Sequence, residues 1–137
     1  MNLFGHLNLS ISKKRLESFR ETFESKSPDT KLSIGFPLNV NESKNITLSA
    51  LKDNDRPDAI FCMTGQILIG AMQSVHEKGI KVPEDIPVIT ISNGFIPALY
   101  NSKITYVETS GYKPGKLAFK RMMSCLFGQY IFTGTNA

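Results

Sequence analysis

Tryptophan is absent from this 137-residue chain, cysteine and histidine occur twice each, and no acidic residue follows Glu108. Each shortage removes a class of function. Cys62 and Cys125 form no CxxC pair and have no His or Asp ligand set beside them, so neither a zinc site nor a redox pair is spelled out. Both are expected to be small buried hydrophobes. His6 and His76 stand far apart, with no HExxH, GxSxG or Walker-type sequence around either. The chain is therefore not expected to be an enzyme, and no metal or cofactor is implied. Asp53, Asp55 and Asp58 crowd one loop without EF-hand spacing, which reads as a solvated turn. No apolar run reaches the roughly 20 residues that span a bilayer. Asn8, Ser10 and Ser12 break the region where a signal peptide would need a continuous apolar stretch. No membrane partner is expected, and a cytoplasmic location is.

What is present describes an ordinary globular domain: 41% apolar and 20% charged residues in a length suited to one core. The net charge of +4 is unevenly placed. Residues 1–108 hold twelve basic and twelve acidic side chains, and the excess is Lys113, Lys116, Lys120 and Arg121. A basic helix can meet nucleic acid or an anionic membrane. No aromatic platform or helix-turn-helix pattern accompanies these four charges, and a solvated helix face is the commoner use of such a run.

Periodicity organises the chain. Lys13 to Ser25 places Leu16, Phe19 and Phe23 on one helical face, with Ser12 as N-cap and Ser27-Pro28-Asp29 as the stop. Lys31 to Phe36 reads as a short strand and Asn45 to Lys52 as a helix. Ala59 to Met63 is an apolar run of buried-strand type. The helix expected from Gln66 to Lys78 buries Ile67, Leu68, Ala71, Met72 and Val75 and carries a second row, Ile69, Gln73 and His76, that is either a wide core stripe or a partner surface. Gly79 is the expected C′ residue of this helix. A strand from Ile86 to Ile91, a loop from Ser92 to Lys103, a β segment from Ile104 to Val107 and a last amphipathic helix follow. Residues 128–137 read as a tail. Alternating strands and helices predict an α/β fold, a parallel sheet with helices on both faces.

The strand at 86–91 ends on Ser92-Asn93-Gly94. Asn-Gly is turn chemistry, which is the commoner reading. Ligands also collect at the carboxyl ends of parallel strands, so the same tripeptide is a candidate site. His6, near the end of the first strand, is likewise a candidate ligand-facing group, with a surface histidine the commoner reading.

Three stretches carry a resemblance: SKKRLESFRETFE (12–24), RPDAIFCMTGQILIGAMQSVHEKGIKVPEDIPVITISNG (56–94) and SKITYVETSGYKPGKLAFKRM (102–122). Together they resemble the effector-binding region of the lactose-repressor family of bacterial transcription regulators. The middle stretch is the most specific, through its Pro-Asp-Ala-Ile strand, Gly-Ala helix and Gly-x-x-Val-Pro-Glu-Asp-Ile. The ending Ser-Asn-Gly is also similar to regulators of the Bacteroidetes group.

The resemblance implies a periplasmic-binding-protein-like fold of type I, of which this chain is an incomplete C-terminal lobe. Residues 1–108 would be most of that lobe, 109–128 a crossover and a helix belonging to the N-terminal lobe of complete members, and 129–137 a tail. Its implied function is effector sensing and dimerisation in a DNA-binding transcriptional regulator, with operator DNA met only through a head outside this chain. The alternative is part of a solute-binding receptor of a transporter, which shares the fold.

By the same resemblance, Arg15, Thr64, Ser92, Asn93 and Thr109 line an inter-lobe cleft for a sugar or related metabolite, while Ile69, Gln73, His76 and Tyr100 belong to a homodimer interface. Ser92-Asn93 stands where many members carry an acidic pair, and Thr64-Gly65 where Asn-Asp is common. Thr109 replaces a common glutamine. Losing carboxylates while keeping Arg15 removes acceptors for sugar hydroxyls and repulsion toward negative charge, which points to an anionic or larger effector.

Overall fold

A computed structural model of the chain describes residues 1–27, 29–52, 54–109 and 111–128. Its five strands are β1 (Asn2–Leu3), β2 (Ile34–Gly35), β3 (Ile60–Cys62), β4 (Val88–Ser92) and β5 (Thr105–Glu108). They form one parallel sheet in the order β2-β1-β3-β4-β5. Its helices are α1 (Ser10–Lys26), α2 (Val40–Lys52), α3 (Gly65–Glu77), α4 (Phe95–Ala98) and α5 (Tyr112–Leu126). The α/β class expected from the sequence is the observed one.

Successive strand residues point to opposite faces, and the register sorts them. Leu3, Cys62 and Thr90 align on one face, as do Ile60 and Val88. With Leu68, Ala71, Met72 and Val75 of α3 and Leu51 of α2, these apolar residues make the core. Thr90 is buried there with its hydroxyl donating to the Cys62 carbonyl at 2.8 Å, so it costs little.

The α2–α3 contact is unusually close. A Cβ on Gly70 would lie 2.2 Å from the Val40 carbonyl oxygen and 2.9 Å from the Lys44 nitrogen. The seam is polar as well as tight: Ser43 donates to the Ile67 carbonyl at 2.6 Å and Ser74 to the Lys44 carbonyl at 2.7 Å. At the rim, Lys44 pairs with Glu77 at 2.8 Å, and this hydrogen bond holds the Glu77 carboxyl below its ordinary range.

The opposite face is covered unevenly. Phe19 of α1 stacks on Phe61 of β3 and meets Phe4 edge-on, with centroids 5.4 and 5.7 Å away. Farther along the same face, Ile89 is 39% and Val107 57% exposed. Of all α1 residues only Ser12 is fully buried.

Several local expectations change. Ser12 is not the N-cap of α1: Leu9 is, with no side-chain cap, because a backbone turn closed by Leu9 N–H to His6 O (3.1 Å) starts the helix earlier. α2 begins at Val40, five residues before the expected Asn45, because Asn39 Oδ1 accepts from Glu42 N–H and the Glu42 carboxylate reaches back to Leu38 N–H, a capping box. The expected strand at 31–36 shrinks to two residues. Cys125 is exposed rather than buried, since α5 buries no residue at all. Gly79 does end α3, at φ 65°, with Ile80 N–H returning to Val75 O at 3.0 Å. Asp55 pairs with Lys31. Asp53, Pro28 and the tail at 129–137 lie outside the described residues.

Candidate functional site at the carboxyl edge of the sheet

All five strands run the same way, so the residues that follow them gather along one edge. Thr64 comes two positions after β3, Ser92 ends β4 with Asn93 next, and Thr109 follows β5. Register ties the last pair together, because the Thr109 N–H donates to the Ser92 carbonyl at 3.1 Å. Arg15 lies early in α1, which also starts from this edge, and it is half-buried.

Three of the four polar side chains at the strand ends, Thr64, Ser92 and Asn93, have a local duty. Thr64 caps α3, its hydroxyl accepting from Ile67 N–H at 3.4 Å. Ser92 Oγ accepts from Gly94 N–H and Asn93 Oδ1 from Phe95 N–H, both at 3.1 Å. Gly94, at φ 89°, completes the bend into α4. Ser-Asn-Gly is thus a turn, and it also sits at the ligand edge. The two readings are compatible: Ser92 is 8% exposed and mainly structural, while Asn93 and Thr109 are exposed.

Two residues that sequence reasoning did not single out shape this edge. A Cβ on Gly65 would lie 2.3 Å from Ile96 Cδ1, so Ile96 occupies the space that a carboxylate at position 65 would need. Tyr106 places its hydroxyl 2.9 Å from a Cβ built on Gly94, so its phenol stands over the β4–α4 turn. The sequence signal was only the alternation of a β segment.

Arg15 lies in an open groove of about 420 Å³ lined by Ile11, Lys14, Arg15, Ser18, Phe19 and Thr22. None of Thr64, Ser92, Asn93 and Thr109 lines it. Of the expected effector residues, Arg15 alone lines this groove, on the flank of α1.

The second expected surface is continuous. Ile69, Gln73 and His76 follow one another along α3, and the His76 ring lies 5.8 Å from that of Tyr100. Tyr100 also packs against the core, and burial pushes its phenol pKa up. Beside it, α4, which the sequence left as loop, presents Phe95 and Leu99, each 68% exposed. Both stand on the segment that leads to Tyr100 and add exposed apolar surface there.

A family model described as periplasmic binding protein-like domain matches residues 3–135. The chain belongs to that family. Among its relatives are the HTH-type transcriptional repressor PurR of Vibrio atlanticus, 27% identical over 123 residues, and the HTH-type transcriptional regulator RegA of Clostridium acetobutylicum, 27% identical over 104 residues. The matches cover 88% and 69% of this chain but 37% and 31% of those proteins, so the chain spans about a third of their length. Similar solved structures include a LacI-family regulatory protein from Chloroflexus aggregans (TM-score 0.79, 17% identity, 96% of this chain and 48% of that one) and a dimeric Lac repressor (TM-score 0.78, 19% identity, 95% and 48%). Within the family, this periplasmic binding protein-like domain is similar to a part of HTH-type transcriptional regulators, and its fold is that of the LacI-family structures. Among its described residues no helix is long and apolar enough to cross a membrane.

Proposed function

We propose that this chain is the effector-sensing and dimerisation part of a lactose-repressor family transcriptional regulator. The observation that carries the reading is the kinship with HTH-type regulators over nearly the whole chain, joined to a sheet whose carboxyl edge presents Thr64, Asn93 and Thr109, with Arg15 on the flank of the helix that starts there. Residues 1–108 are the lobe that holds half of the cleft. The helix α5, on which every residue from 112 to 122 is exposed, belongs to the opposite lobe. A small molecule held between the lobes would shift the arrangement of paired subunits and so the spacing of DNA-binding heads. Dimerisation uses α3 and α4 through Ile69, Gln73, His76, Phe95, Leu99 and Tyr100, an isologous patch with aromatic anchors.

Reading the native coding region upstream of Met1 tests this directly. An in-frame first lobe preceded by a helix-turn-helix is the expected result, and the encoded protein should retard DNA from its own locus. A secretory signal in front of a first lobe would overturn the regulator reading in favour of a solute receptor.

A further inference from the structure

The groove on the flank of α1 says more about the ligand than the strand ends do. Arg15 is half-buried, and among the described residues it makes neither a hydrogen bond nor an ion pair. Its neighbours one turn away on the helix, Ile11, Ser12, Ser18 and Phe19, carry no charge. Lys14 lines the same groove and is also without an ion pair there, although Glu17 follows it by three residues. None of the α1 carboxylates Glu17, Glu21 and Glu24 contributes to the lining. A half-buried guanidinium without an acid partner keeps its donor fork available to a ligand that carries negative charge.

The rest of the edge agrees. Position 65 holds no carboxylate. Positions 64, 92, 93 and 109 are uncharged. The one acid at the strand ends, Glu108, is 3.4 Å from Lys113. The first turns of α1 and α3, both starting at this edge, contain no acidic residue to offset their N-terminal dipoles, while Glu42 in the first turn of α2 is engaged by Leu38 and Asn39. Ile11 and Phe19 meanwhile give the groove an apolar wall beside the two cations.

We propose that the effector is an amphipathic anion, whose carboxylate or phosphate is received by Arg15 with Lys14 and whose apolar portion lies against Ile11 and Phe19. This rests on the effector-sensing reading above and names the ligand class for it. Arg15 offers a planar fork of donors that matches either acid group, and Ser18 and Thr22 add hydroxyls along the same flank.

The test titrates the 137-residue chain with phenyl phosphate, benzoate, inorganic phosphate and glucose, followed by backbone amide NMR. Phenyl phosphate and benzoate should shift amides between Ile11 and Thr22 at concentrations several-fold below those needed with inorganic phosphate, and their relative strength tells phosphate from carboxylate. Loss of the charge-assisted pair in Arg15→Gln should weaken this response about ten-fold, and added salt should weaken it too. Glucose shifting Thr64, Ser92 and Asn93 equally in wild type and Arg15→Gln would overturn the anion and leave effector sensing intact. Silence of the 11–22 amides toward every probe would overturn it as well, while the regulator reading would still stand or fall on its gene.

Discussion

Cys62 and Cys125 are the same side chain in opposite surroundings. Burial in the core pushes the Cys62 thiol pKa up to about 12, whereas Cys125 is exposed on α5. A thiol reagent added to the folded chain at pH 8 should therefore label Cys125 at once and Cys62 only after denaturant, a difference that mass spectrometry reads directly. Since the folded pKa is raised, the contribution of Cys62 to stability is complete below its ordinary value of 9.0. It is lost as pH climbs from there toward 12, because the unfolded chain releases the proton and the folded chain does not. Urea midpoints measured from pH 8 to 11 should fall more steeply in wild type than in Cys62→Ala, and parallel curves would contradict the buried placement.

Glycine gives a second contrast at this scale. At Gly70 an added methyl meets backbone of α2, which has nowhere to go, so Gly70→Ala should cost on the order of 2 kcal/mol, the usual size of overpacking. At Gly65 it meets the movable end of Ile96, and the cost should fall at the low end of overpacking, about 1 kcal/mol. At Gly115, inside α5 with nothing within 4 Å, alanine should instead stabilise that helix by roughly 0.5–1 kcal/mol through propensity alone. Urea unfolding ranks the first two, and far-UV circular dichroism reads the third as a gain in helix content, because α5 buries no residue and is not coupled to the core.

Among the elements, α2 and α3 form a unit with β1, β3 and β4, while α5 stands apart. Leu117, Phe119, Met122 and Leu126 are each more than half exposed, and no tertiary packing repays their hydration. Replacing Phe119 and Met122 by Lys should thus leave the melting temperature of this chain unchanged within a degree or two on the scale of a surface substitution. A large fall would show that α5 packs on the sheet. The amphipathic pattern of α5 was legible in the sequence, but a pattern states only that one side of a helix prefers an apolar neighbour. It does not say where that neighbour is.

Helix ends are set more locally. Gly79 and the Asn39–Glu42 box act through a few adjacent residues, and the first of these ends α3 as its sequence predicts. The second was passed over because Asn39 and Glu42 precede the apolar stripe that marked the helix. The short α4 escaped periodicity for want of length.

At the scale of the whole molecule, the apolar patch of α3 and α4 predicts self-association. Phe95→Asp and Leu99→Asp place a charge on residues that the core does not need, so each should convert dimer to monomer in sedimentation at micromolar concentration without unfolding the chain. Tyr100→Asp should dissociate the dimer and also lower stability, because Tyr100 packs on the core. A wild type that sediments only as monomer would remove this surface from the proposal.

By itself the sequence determined the α/β class, the order of the main helices and strands, the core stripe of α3 and the placement of Ser92-Asn93-Gly94 at a strand end. These follow from local periodicity and turn chemistry, which act over a few residues. Only the tertiary structure decided that Cys125 is exposed, that Ile96 fills the space beside Gly65, that α1 leaves Ile89 and Val107 uncovered, and that Arg15 shares its groove with Lys14 rather than with the strand-end residues. Those outcomes depend on which elements meet across the sheet, and burial and unpaired charge are set by such long-range contacts, not by the residues adjacent in the chain.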